Sequence, residues 1–448
     1  MKRRFPNLSH YFTYFVGDRT TRQNILNNIK DGAWYSVMLG LTSSFTGVFA
    51  IALGASDEML GWLSSLPALL SMLSQIPAAR LTERSPSRLR VSLRYGLIFR
   101  SGYLLFAFIP FLPIAPIYRA WTFILLVSLM NFPGTVSGVA WSAMMGDIFP
   151  GSLRGRIFAD RNMLLGIVQM AVTLVAGPLL DNIAYPYNYA LIYLLSFGAL
   201  MTSSWYQSKI VEQPASAELL SAAAGAGGGG GAVTSVVETA EETPPAQASG
   251  AVRVRQVLGD RPFVMYLVSL FIFYLGLNVS AAMWTILYVR VLGLSQSFIG
   301  FRAVVSQLIS VLCYRWWGRH MDRHGPMFSL FIVILAYIPQ PFLYNYARGV
   351  VPLLAMSVYG GFTAAGLNLV LFNSLLDMAP NPQLRPSYIA VYNLVIGVTG
   401  FVLPMIGVAI YEASSMAVVF NLSSTLRLIG AGFMAWKVGV RSRAARAA

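Results

Sequence analysis

Arg319, Asp322 and Arg323 stand close together in the stretch GRHMDRHG, behind Gly318 and ahead of Gly325, directly after the apolar run QLISVLCYRWW. A carboxylate so placed can accept hydrogen bonds from amides exposed at a helix start or pair with a guanidinium, so the chemistry on offer is a reversible ionic clasp. His320 and His324, four residues apart, could share a helix face. Two imidazoles and one aspartate lack a fourth ligand, however, and read as solvated polar residues, so no metal site is expected. A second kind of chemistry lies in Arg100, Arg302 and Arg427, which fall inside apolar runs where a guanidinium either finds a partner or attracts an anion. Asp31, Asp147, Asp181, Asp377 and Glu412 all read as lying toward the ends of such runs, which leaves proton coupling through a midplane carboxylate without a candidate. No intramembrane histidine pair, serine elbow or phosphate-binding glycine loop is present, so neither enzymatic chemistry nor a cofactor is expected.

These residues must be positioned by elements suited to lipid. The chain is 56% hydrophobic and only 11% charged, against about 25% charged in soluble domains, too little charge to cover a water-facing surface. The net charge of +15 is dispersed in short basic clusters between apolar runs, where attraction to anionic lipid headgroups accounts for it without nucleic acid. The single Cys313 excludes a disulfide framework and a thiolate cluster.

Runs of about 20 residues, long enough to cross a bilayer, fall near 31–54, 59–79, 95–115, 119–146, 158–183 and 188–209, and again near 262–290, 296–317, 327–346, 351–378, 387–412 and 415–436. The expectation is an all-α polytopic membrane protein with twelve transmembrane helices, six and six. Residues 211–252 hold no Lys or Arg and no helical period, so 211–260 reads as a flexible linker between bundles at 31–210 and 261–437. Residues 1–30 form an N-terminal segment whose stretch FPNLSHYFTYFVGDR suits a helix lying along the membrane surface, and 438–448 form a basic tail. MKRRF is basic enough to begin a secretory signal, but no apolar core follows it, and the first span reads as an uncleaved anchor. Basic residues alternate between sides as crossing runs require. One side collects Lys2 to Lys30, Arg80 to Arg94, Arg154 to Arg161, Lys209 to Arg261, Arg315 to Arg323, Arg385 and Lys437 to Arg446, while the other holds little beyond Arg119, Arg290 and Arg348. By the positive-inside rule both termini and the linker are expected on the cytoplasmic side.

The chain also repeats itself. Gly54, Gly61, Ala79, Glu83, Arg84 and Pro86 recur at identical spacing as Gly293, Gly300, Gly318, Asp322, Arg323 and Gly325. Asp147 and Pro150 lead to Arg154, Asn162, Gly166 and Asp181 as Asp377 and Pro380 lead to Arg385, Asn393, Gly397 and Glu412, with one extra residue between proline and arginine in the second series. These residues resemble the major facilitator superfamily of secondary transporters from about residue 31 to 437. GRHMDRHG is similar to that family's G-x-x-x-D-R-x-G loop, and ARLTERSPSR to a degraded twin in which Ala79, Glu83 and Pro86 replace glycine, aspartate and glycine. The resemblance implies two six-helix bundles related by a pseudo-twofold axis, and a cytoplasmic gate formed by Glu83, Arg84, Asp147 and Arg154 with Gly318, Asp322, Arg323, Asp377 and Arg385. The alternative role for these loop residues is to set topology at the headgroup level.

In that architecture the first and fourth helices of each half line a cavity near the midplane. This analogy selects Thr42, Ser43, Thr46, Asn131 and Trp141, then Tyr274, Asn278, Trp284, Asn368 and Asn373, although Ser and Thr often bond their own helix and Asn often joins helices. Arg302, on a helix that faces the cavity by the same analogy, is the expected contact for an anionic solute, while Arg100 and Arg427 read as snorkelling or structurally paired. The expected function is transport of a small solute, an organic anion or an exported molecule, by a monomer in a bacterial inner (plasma) membrane. A non-transporting receptor or assembly factor of the same fold is the rival.

Overall fold

The computed structural model describes residues 19–148, 151–212, 256–379 and 384–447, with the backbone alone at 147, 151–160, 385–386 and 437–447. The expected surface segment before residue 19 and linker residues 213–255 lie outside the described residues. Helices and no strand form among those that are described, as lipid dictates: a backbone in hydrocarbon must satisfy its hydrogen bonds within its own segment. The first half holds α1 (Arg19–Thr42), α2 (Thr46–Ala52), α3 (Asp57–Arg84), α4 (Arg88–Phe108), α5 (Pro116–Ile148), α6 (Gly151–Asn182) and α7 (Tyr187–Gln207). The second holds α8 (Arg261–Val279), α9 (Met283–Ile286), α10 (Gln296–His324), α11 (Pro326–Tyr337), α12 (Pro339–Tyr344), α13 (Val350–Asp377), α14 (Arg385–Ala413) and α15 (Met416–Ala447).

Nine spans among the described residues are long and apolar enough to cross a bilayer, or ten if α1 and α2, bent by 43°, count as one. The twelve crossings expected from sequence are thus not all met by that criterion. The two further long helices, α4 and α7, hide polar surface from lipid by facing one another: Arg100 of α4 bonds Ser203 and Gln207 of α7, each at 3.2 Å, and also Ser204. Helix α1 begins at Arg19, well before the run read from residue 31. Its early polar residues are buried against the end of α7, where Asn24 exchanges hydrogen bonds with the Val211 backbone at 2.8 and 2.9 Å and Asn27 donates to the Lys209 carbonyl.

The internal repeat is realised in the backbone. Gly54 and Gly293 both take positive φ, 103° and 57°, turning the chain into α3 and α10. Ser56 and Ser295 then cap those helices, accepting from the Met59 and Phe298 amides. One turn on, a Cβ at Gly61 would lie 3.2 Å from Met405 Sδ of α14, and one at Gly300 would lie 3.1 Å from the Thr173 carbonyl of α6. These are the two seams between halves, α3 on α14 and α6 on α10.

Packing differs between the ends of the seams. Away from the basic loops a single hydrophobic cluster runs through both halves and includes Phe45, Phe49 and Leu60 with Ile286, Tyr288 and Val408. At the basic end the clusters are separate: Ile25, Met144, Met145 and Ile210 in the first half, and Phe263, Trp317 and Tyr388 among others in the second.

Candidate functional site

The polar face of α1 continues from its asparagines to Asp31, which is 5% exposed. Ser203 Oγ donates to Asp31 Oδ1 at 2.6 Å, and Arg100 Nη2 lies 3.9 Å from the same oxygen. Beside Asp31, Gly32 leaves room for a third charge: a Cβ there would meet Arg161 Nη2 at 2.6 Å. Arg161 donates from Nε to the Asn28 carbonyl at 3.4 Å, and its guanidinium lies 4.9 Å from the Trp141 ring. Asp31, Arg100 and Arg161 line a cavity of about 630 Å³ together with Tyr35, Phe99, Asn131, Trp141 and Gln169; Gln307 of α10 reaches it from the other half. With two guanidinium groups to one carboxylate, the site can neutralise a negatively charged group, and its rings can pack a flat apolar body.

A second cavity, of about 300 Å³, lies within the second half and is lined by Trp284, Tyr288, Arg302, Gln340 and Tyr344 among others. Arg302 Nη2 donates to the Tyr288 hydroxyl at 2.7 Å and the Tyr344 hydroxyl at 3.1 Å. Trp284 packs against Tyr344 and Phe420, with ring centres 4.8 and 5.0 Å away.

The halves are joined at the end away from the basic loops. Asp57 Oδ1 and Arg290 Nη1 are 3.0 Å apart, and Arg290 also donates to the Ala55 carbonyl. Asp181, at the end of α6, accepts from the Gln296 and Ser297 amides at 2.9 and 2.8 Å and from Ser297 Oγ, so a carboxylate of one half caps a helix of the other. Tyr189 OH donates to Gln296 Oε1 at 2.8 Å. Gly177 permits this approach, since a Cβ there would lie 2.6 Å from Ser297 Cα.

Of the residues selected from sequence, Asn131 and Trp141 line the larger cavity and Trp284 and Arg302 the smaller. The others are placed elsewhere. Thr42 and Thr46 donate to the Met38 and Thr42 carbonyls of their own turn, Asn373 to the Leu369 carbonyl, and Asn278 to Thr399 Oγ1 across helices. Tyr274 accepts from the Tyr392 hydroxyl at 3.4 Å, Ser43 lies at the break between α1 and α2, and Asn368 is exposed on α13.

Among the gate residues, Glu83, Arg84, Asp322 and Arg323 are exposed and form no ion pair with one another among the described residues. Asp377 is the last residue of α13, and the side chains of Asp147, Arg154 and Arg385 lie outside the described residues. Gly325 has φ of 81°, as the turn into α11 requires, whereas Gly318 meets only Leu369 Cδ2, at 3.9 Å from where its Cβ would be. His320 shares a hydrogen bond with Ser329 and His324 one with the His320 carbonyl.

The sequence reading passed over Asp31 and Arg161 as site residues, and of its two readings of Arg100, snorkelling or structurally paired, the structure shows the pairing. The sequence reading placed Asp31 at a helix end because the polar residues before it did not read as part of a span. The available signal was the run of asparagines at helical spacing, Asn24, Asn27 and Asn28, leading into Asp31 and marking one buried polar face.

Two seamed sets of helices with a polar cavity between lipid-facing walls define a polytopic transport-type membrane protein. The sequence pattern of the Major Facilitator Superfamily matches residues 33–404, and the chain belongs to that family. No curated protein matches this sequence. Solved structures share the fold. A bacterial homolog of the human lysosomal transporter Spinster, in an inward-facing and unoccupied conformation, is 12% identical with a TM-score of 0.63, covering 94% of this chain and 96% of its own. The nucleoside transporter NupG is 13% identical with a TM-score of 0.63, covering 93% and 98%. The xylose transporter XylE from E. coli, inward open, is 14% identical with a TM-score of 0.63, covering 92% and 94%. The chain is thus a non-enzymatic membrane transporter by family.

Proposed function

We propose that this transporter moves a small organic anion by alternating access, its halves rocking about the α3–α14 and α6–α10 seams. The reading is carried by the inequality of the two ends: a shared hydrophobic cluster and an ionic latch at one, separate clusters and the 630 Å³ cavity toward the other. The solute's negative group rests on Arg161 and its apolar part on Trp141 and Phe99, because Arg100 is already engaged by Asp31 and the α7 side chains. The basic end faces the cytoplasm of a bacterial inner membrane, and a monomer carries out the cycle. When the cavity opens the other way, Glu83, Arg84, Asp147 and Arg154 meet Asp322, Arg323, Asp377 and Arg385 in the cytoplasmic clasp, with Gly318 in the last two turns of α10. The present latch suits such a cycle: a partly exposed pair such as Asp57 and Arg290 contributes at most about 1 kcal/mol and can be broken each turn.

Spin labels test this without knowledge of the solute. In a Cys313→Ser background, Leu81→Cys with Arg319→Cys reports the basic end and Tyr187→Cys with Val351→Cys the other. Pulsed electron paramagnetic resonance in nanodiscs should resolve two distances at each end, long at one when short at the other. A single, unchanging distance for both pairs rules out rocking. Thermal-shift screening of purified protein against small carboxylates and phosphates then identifies the solute, whose binding Arg161→Gln should abolish.

A further inference from the structure

The 300 Å³ cavity in the second half has no part in that reading, yet its chemistry is incomplete as it stands. We propose that it is a second, separate site, which seats a small monovalent anion, a halide or a carboxylate headgroup, on Arg302.

Charge is the first argument. Among the described residues no acid lines this cavity, and Asp260, Asp322, Asp377 and Glu412, the acids of the described second half, all stand at or beside helix ends. Arg302 is thus a guanidinium inside a spanning helix with no carboxylate facing it, where an uncompensated charge is costly. The Tyr288 ring lies 4.0 Å from its Cζ, which spreads the charge without cancelling it. Arg427 adds to the same field from behind Tyr337. It is 1% exposed, its Nη1 donates to the Tyr337 carbonyl at 2.8 Å, and its Cζ lies 5.8 Å from the Tyr337 ring, which itself lines the cavity.

Donor count is the second argument. Arg302 can only donate, and the partners it has found are two hydroxyl oxygens. Tyr288 also hydrogen-bonds Tyr344, so between the two tyrosines one hydroxyl proton is left to give. The Nε of Arg302 is buried with no partner at all. The cluster therefore presents several donors and no charged acceptor, the inverse of the first half, where Asp31 accepts from its surroundings. An anion resting between Arg302 and the tyrosine hydroxyls would satisfy both deficits. A volume of about 300 Å³ holds a halide with several waters, at about 30 Å³ each, or the carboxylate end of a small molecule.

The test uses purified full-length protein in detergent and the linewidth of the ³⁵Cl magnetic resonance, with ionic strength held by a bulky sulfonate buffer. Wild-type protein should broaden the chloride line saturably. Arg302→Gln should abolish the saturable part, and Tyr344→Phe, which removes one hydroxyl and keeps the ring, should weaken it about tenfold, the loss expected for one hydrogen bond to a charged group. Arg315→Gln, which removes an exposed arginine from the same helix, should leave it unchanged and so separates the site from general basicity. Displacement of chloride by acetate assigns the seat to a carboxylate-bearing solute, and persistence of broadening in acetate assigns it to a free halide. The proposal is overturned if the wild-type line broadens without saturation, or if saturable broadening survives in Arg302→Gln. Should Arg302→Gln fail to fold, unaltered broadening in Tyr344→Phe overturns it equally. Because Arg161 is untouched throughout, this result is independent of where the main solute binds.

Discussion

The two halves share a frame and differ in how they house charge. Gly54 and Gly293 turn the chain, Ser56 and Ser295 cap the next helix, and Gly61 and Gly300 admit the other half at matching points. Within that frame the first half buries Asp31 beside Arg100 and Arg161, so its charges largely answer one another. The second sets the half-buried Arg302 and the buried Arg427 among tyrosines, a serine and a backbone carbonyl, with no carboxylate beside them among the described residues. Repeated small and capping residues fix where helices cross, while unrepeated interior charges decide what each cavity accepts. The pseudo-symmetry is one of backbone, and the specificity is free to be asymmetric.

Removing the acid from the first half should break this contrast most severely. Asp31→Asn keeps the size of the side chain and leaves the buried Arg100 and the half-buried Arg161 without a counter-charge, a loss of about 3–5 kcal/mol for a broken buried pair. The variant should melt well below wild type and accumulate poorly in membranes. Asp31→Asn with Arg100→Gln should recover part of that loss, because the two effects are coupled. A wild-type melting curve for Asp31→Asn alone would show that the cluster is not an electrostatic unit.

The second half should respond more mildly. Arg427→Met removes a charge that has no carboxylate partner and fills much the same volume. The cost is then the Tyr337 carbonyl left without its donor, about 1–3 kcal/mol. Equal destabilisation by Arg427→Met and Asp31→Asn would erase the distinction between the halves. Smaller again is Asp181→Asn, which weakens the cap that one half places on α10 of the other and should shift the balance between conformations by about 1 kcal/mol, or about fivefold. The Tyr187→Cys and Val351→Cys label pair reads that change directly, as growth of the long-distance population.

Much of the frame was legible from sequence because its determinants are local. A glycine at a positive-φ turn and a seam glycine seven residues later leave a spacing that can be matched between halves. The site was legible only in part, since its charges pair across long separations in sequence. Asp31 reaches Ser203 and Arg100 because the asparagine face of α1 is buried against α7, and a hydropathy window sees that face as the absence of a span. Asp57 begins α3 in one half and Arg290 lies in the short helical stretch 287–291 of the other, and nothing in either stretch names its partner. Conversely, Asn278 and Thr42 stood out as polar residues in apolar runs, yet a polar group in lipid satisfies itself as readily on a neighbouring helix or its own carbonyl as on a solute.

That last point yields the smallest effect. Asn131 and Asn278 were selected by the same rule, one from each half, and the structure separates them. Asn131 lines the larger cavity, donating at 2.8 Å to the Val127 carbonyl of its own helix and accepting from Ser71, while Asn278 is spent on Thr399 at 2.8 Å. Asn278→Leu should therefore cost only about 0.6 kcal/mol of stability, the usual worth of one such bond between helices in lipid, and leave solute affinity as it was. Asn131→Leu should change stability as little, because the Val127 carbonyl keeps its helical partner, but should weaken solute binding measured by thermal shift. If instead Asn278→Leu lowered affinity and Asn131→Leu did not, the solute would belong to the second half, and the arginine that meets it would be Arg302 rather than Arg161.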